Sequence, residues 1–148
     1  MSLKTAISGS FKFKPEIDAL HEEFADHGVE VLEPTKGWLW TPNSRIIPGE
    51  VRPLPAEQGM NSREIEERFL RAIDRSDFLF LNNIERYVGN MSAFELGYTI
   101  TRGIPIYSRE AVNTMQLANY DLELSTFLAG RIVVASVPDI VSIEQSKL

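Results

Sequence analysis

The 148-residue chain has no cysteine, which removes disulfides, thiolate nucleophiles and cysteine-based zinc sites together. Its two histidines, His21 and His27, fall on one stretch of helical spacing, so no metal site and no cofactor is expected. No run approaches the roughly 20 apolar residues of a membrane span. The opening MSLKTAISGSF is too short and too polar for a signal peptide, and a cytoplasmic location away from membranes is expected. Basic residues do not cluster: 15 Lys and Arg stand against 21 Asp and Glu, a formal charge of -6. The footprint of a binder of nucleic-acid polymers is therefore missing, and small ligands are favoured. There is no internal repeat, no low-complexity tract, no Gly-rich dinucleotide fingerprint and no phosphate loop ending in Lys-Ser/Thr, so dehydrogenase and kinase readings lose support. Asn90-Met91-Ser92 is a glycosylation sequon only in a secreted chain, and Ser146-Lys147-Leu148 an address only in a eukaryote.

What is present has the size and apolar content of one domain, with 43% hydrophobic and 24% charged residues. Thr5-Ala6-Ile7 reads as a strand stopped by Ser8-Gly9-Ser10. Pro15 then opens a helix whose Ile17, Leu20 and Phe24 repeat at helical spacing until Gly28. Val29-Glu30-Val31-Leu32 is a second strand. An insert over about 35–61 follows, rich in proline and carrying both tryptophans, Trp38 and Trp40. Inserts of that length are usually lids or binding loops; the two indoles either stack on a ligand or anchor the loop. Asn61 with Glu64 caps a second helix, with Ile65, Phe69, Ala72 and Ile73 as its buried stripe up to Ser76. Phe78-Leu79-Phe80-Leu81, apolar throughout, suits a central parallel strand. Ser92 opens a third helix that ends at Gly103, and Ile104-Pro105-Ile106-Tyr107 and Ile132-Val133-Val134-Ala135 supply two more strands. Alternating strands and helices predict an α/β domain over residues 1–148, a doubly wound five-stranded parallel sheet of flavodoxin-like order 2-1-3-4-5 with helices on both faces. Ligands bind such sheets where the winding reverses, here between the first and third strands.

That crevice gathers Ser8-Gly9-Ser10-Phe11 and the segment from Asn83 to Glu95. Ser8-Gly9-Ser10 offers small side chains and free amides, and serves equally as a plain tight turn. Tyr87-Val88-Gly89-Asn90-Met91-Ser92-Ala93-Phe94-Glu95 places a carboxylate in the first turn of a helix facing the crevice. Ser92-x-x-Glu95 is also a capping box, which stabilises a helix without any chemistry.

Ser8-Gly9-Ser10, Asp74-Arg75-Ser76-Asp77, Tyr87-Val88-Gly89, Phe94-Glu95-Leu96-Gly97-Tyr98 and Gly103-Ile104-Pro105-Ile106-Tyr107 occur in one order. Together, over roughly residues 4–108, they resemble the nucleoside 2-deoxyribosyltransferase-like superfamily, which includes deoxynucleoside 5′-monophosphate N-glycosidases. The resemblance implies that Glu95 is a carboxylate nucleophile attacking C1′ of a 2-deoxyribosyl group, with water or a second base resolving the covalent intermediate. It further implies that Ser8, Gly9, Ser10 and Phe11 line the sugar or phosphate side, that Asn83, Tyr87, Gly89 and Ser92 orient the ligand, and that Trp38 or Trp40 closes over the base. Helix amides at Ser92, Ala93 and Phe94 would bind a 5′-phosphate and keep Glu95 ionised. Gly89 and Ser92 each align with the family's phosphate-side serine. The family's proton-handling Asp, eight residues before the aspartate that enters the third strand, falls here on Phe69, which reads as core. Glu66, one turn earlier, Glu50 or Glu57 from the insert, or an acid from a second subunit of a homo-oligomer could replace it.

Two other readings stand beside this one. A catalytically silent nucleotide-binding module would keep the pocket without the acid. A structural or interaction protein would use Ser92 and Glu95 only as a cap.

Overall fold

The apolar strands place alternate side chains on opposite faces of a sheet, and each face acquires its own pair of helices. In the computed structural model, which describes residues 2–36, 60–112, 116–117, 128 and 130–148, the order is β1 (Leu3–Ser8), α1 (Lys14–Asp26), β2 (Val29–Glu33), α2 (Ser62–Asp74), β3 (Phe78–Leu81), β4 (Tyr87–Val88), α3 (Asn90–Thr101), β5 (Ile106–Ser108), β6 (Gln116–Leu117), β7 (Ile132–Val134) and α4 (Val137–Gln145). Five strands form one parallel sheet in the order β2-β1-β3-β5-β7. Counted within that sheet this is the expected 2-1-3-4-5 winding. The short parallel pair β4–β6 was not foreseen; two residues are too few to show periodicity.

The period of two decides which helix covers which face. Ile7, Phe78, Phe80 and Tyr107 join one buried layer with Ile17, Leu20 and Phe24 of α1 and Ile140 of α4. Ala6, Leu79, Leu81 and Ile106 join the other, with Ala72 and Ile73 of α2 and Leu96 of α3. Phe24 anchors the first layer, with its ring centroid 5.8 Å from Phe78 and 5.5 Å from Phe80. Near the amino ends of β1 and β3, Lys4 N donates to Asp77 Oδ2 at 2.8 Å and Asp77 N to Lys4 O at 2.8 Å. The paired register runs from Thr5 opposite Phe78 to Ser8 opposite Leu81, so the residues after Ser8 and after Leu81 emerge side by side.

Most helix ends follow the expected chemistry. Asn61 Oδ1 accepts from Glu64 N at 2.9 Å at the start of α2. Gly28 and Gly103 take the positive φ, 77° and 70°, that lets the chain turn out of α1 and α3. The start of α3 differs from expectation: its cap is Gly89, without a side-chain cap bond. Ser92 and Glu95 therefore do not form a capping box; Ser92 already lies in the first turn and Glu95 in the second. No helix among the described residues is long and apolar enough to cross a membrane.

Candidate functional site

Beyond the carboxyl ends of β1 and β2, four segments meet around a cavity of about 540 Å³. The turn after β1 contributes Ser8, Gly9, Ser10 and Phe11, and the exit of β2 contributes Glu33 and Pro34. Ile65, Glu66 and Phe69 come from the first half of α2; Gly89 to Ser92 and Glu95 come from the start of α3. These positions follow from the winding, since the chain goes from β1 through α1 to β2 on one side and crosses back through α2 to β3 on the other.

Gly9 permits the closest backbone approach. A Cβ there would sit 3.0 Å from Asn82 O and 3.1 Å from Asn82 Cβ, so the turn after β1 lies flat against the end of β3. Asn82 N donates to Ser8 O at 2.8 Å, fixing Ser8 at the cavity floor. Ser8 is 1% exposed, and its hydroxyl donates to Glu95 Oε1 at 2.6 Å. Ser10 instead turns back to its own chain, where its Oγ accepts from Lys12 N at 3.3 Å.

Glu95 is 7% exposed and meets a second carboxyl, since Glu66 lies within side-chain hydrogen-bonding reach of it. The Oε1 atom of Glu66 is buried and finds no donor among the described residues. Two carboxyls can bond only if one carries a proton, and the electrostatics agree. Burial pushes the Glu95 carboxyl well above the usual range, and the charge of Glu66 adds to the effect while the Ser8 hydroxyl opposes it. Burial also raises Glu66, opposed by its bond to Glu95. The expectation that helix amides keep Glu95 ionised is not met: Glu95 sits beyond the first turn, and its burial beside Glu66 favours the protonated form. A pair holding one proton offers a nucleophilic carboxylate and a proton donor side by side.

The free amides also move. Ala93 N is bonded to Gly89 O at 3.0 Å, so the open helix terminus is Asn90, Met91 and Ser92 rather than Ser92, Ala93 and Phe94. Among the other candidates, Asn83 lies off the cavity: its Nδ2 donates to Glu110 O at 2.8 Å and its Oδ1 accepts from Glu110 N at 2.9 Å. Tyr87, 36% exposed, is not in the lining. Phe69 is half-buried, packing on the α2–α3 layer and also forming cavity wall. Trp38, Trp40, Glu50 and Glu57 lie outside the described residues. His21 stays off the lining, with its Nε2 2.7 Å from Pro34 O.

The exit of β2 and the side chains of Ile65 and Met91 were missed by sequence reasoning. Glu33 is 4% exposed and is paired with Arg68. Its place at the carboxyl end of a strand was the available clue.

No protein-family model and no curated protein matches the chain. Among solved structures, it is similar to a conserved protein from Enterococcus faecalis V583, at a TM-score of 0.62 and 14% identity over 100% of both chains. At that identity the likeness concerns the fold alone.

Proposed function

We propose that the protein cleaves the N-glycosidic bond of a 2′-deoxynucleoside or its 5′-monophosphate, as a hydrolase or a base-exchanging transferase, with Glu95 as the nucleophile. The observation that carries this reading is the orientation of Glu95. Its carboxyl leaves its own helix terminus, enters the cavity and is held there by Ser8 from the end of β1. A capping residue would face the amides of its own first turn.

In the proposed reaction a Glu95 oxygen attacks C1′ as the bond to the base nitrogen breaks, and the departing base takes a proton from within the cavity. Water or a second base then attacks C1′ and releases Glu95. An anion beside C1′ favours the oxocarbenium-like transition state. The walls of Phe11, Ile65, Phe69 and Met91 suit a flat heterocycle, and the open amides of Asn90, Met91 and Ser92 suit a sugar hydroxyl or a phosphate. The apolar Phe69 favours one rival, a silent binding module of the same fold.

Base release from a panel of deoxynucleosides and their 5′-monophosphates, followed by chromatography with and without an acceptor base, tests the proposal. Glu95→Ala is expected to abolish release. Absence of release by the natural protein, together with a melting temperature raised by the same ligands, would leave the binding module as the reading.

A further inference from the structure

Resting on that reading, we propose that Glu66 supplies and retrieves the proton in the cleavage, working from α2 opposite Glu95. Three observations place it there. Glu66 lines the same cavity as Glu95, with its carboxyl within side-chain hydrogen-bonding reach of it. Its Oε1 is buried without a donor among the described residues. The next cavity-facing position on α2, one turn on, is the apolar Phe69, which can transfer no proton. Among the described residues, the acidic side chains of the cavity lining are Glu33, Glu66 and Glu95, and Glu33 is engaged by Arg68.

The step balances within this pair. Glu95 carboxylate forms the bond to C1′; the C1′–N electron pair leaves with the base, which takes the proton of the Glu66 carboxyl. Glu66, now ionised, accepts a proton from water as the water oxygen attacks C1′, and Glu95 departs as carboxylate. The pair ends with the single proton it began with. Retaining glycosidases work with their two carboxyls about 5–5.5 Å apart and the sugar between them, so substrate binding is expected to part the pair. Burial raises both carboxyls, which favours retention of a proton shared between them.

The test compares the natural protein, Glu66→Gln and Glu95→Gln on deoxynucleosides and on 4-nitrophenyl 2-deoxyriboside, whose leaving group departs as a stable anion and needs no proton. Glu66→Gln is expected to lose about 10²- to 10⁴-fold in kcat/KM on nucleosides, to release its first burst of nitrophenolate within a few-fold of the natural rate while later turnovers slow for want of a base, and to lose the alkaline limb of the pH–rate profile. Glu95→Gln should fail on both substrates. Equal losses by Glu66→Gln in kcat/KM on nucleosides and in the nitrophenolate burst rate, with folding intact by thermal unfolding, would show a structural role and overturn the proton assignment while leaving Glu95 standing. No turnover of either substrate by the natural protein would instead overturn the cleavage reading and the proton role together.

Discussion

A serine hydroxyl 2.6 Å from a carboxylate oxygen is a small feature with a calculable consequence. The Ser8 bond favours the charged form of Glu95 against burial and against Glu66. Ser8→Ala removes that support, so the Glu95 carboxyl moves further above the usual range. The acidic limb of kcat/KM under the proposed chemistry is expected to shift to higher pH, with the alkaline limb nearly unmoved. A hydrogen bond to a charged group contributes about 1.5–3 kcal/mol, so activity on the acid side should fall roughly tenfold or more. An acidic limb unchanged in the Ser8→Ala profile would mean that Ser8 positions Glu95 without tuning it.

At the scale of elements, the two helices that carry the paired carboxyls begin in different ways. Asn61 is a true cap of α2, and Asn61→Ala is expected to cost about 1 kcal/mol in denaturant unfolding. Ser92 resembles a cap in sequence yet lies inside α3 at the cavity wall. Ser92→Ala removes no cap bond and is expected to cost less stability than Asn61→Ala while weakening ligand-induced thermal stabilisation; a loss like that of Asn61→Ala would restore the capping-box reading. These two positions show what the sequence could and could not reveal. Strands, helices and winding were legible because their apolar residues repeat with periods of 2 and 3.6, and each layer of the core is filled by those repeats. The turn after β1 and the position of Glu95 were legible as motif and topology. The start of α3 was not, because Ser92-x-x-Glu95 satisfies a local rule that a partner 87 residues away overrides. Glu66 could be named but not placed, since its spacing on α2 suits both the cavity and the surface. Its contact with Glu95 depends on how α2 and α3 lie together, and at their far ends Tyr98 OH donates to Asp74 Oδ1 and Oδ2 at 3.0 and 2.9 Å. Asp74 and Tyr98 both belong to motifs that resembled the family, and here they join the two helices that carry the carboxyls.

For the whole molecule, the paired carboxyls tie stability to pH. Glu95 and Glu66 hold protons more tightly in the folded chain than when solvated. A group whose folded pKa is raised stabilises the fold below its unfolded value, about 4.3 for glutamate, and that contribution is lost as pH rises through the folded value. The pair therefore works against the fold at neutral and alkaline pH, as sites shaped for function often do. The comparison that isolates the pair is the natural protein against Glu95→Gln, which keeps the shape, removes one charge and gives Glu66 a neutral neighbour. Calorimetric melting temperatures should converge near pH 4.5 and separate as pH rises, with Glu95→Gln the more stable above neutrality. Each 1 kcal/mol is worth roughly 2–4 °C in a chain of this size. A gap independent of pH would trace to packing alone, whereas a gap that widens as pH rises from the ordinary carboxyl range shows that the folded cavity holds a proton that the unfolded chain releases.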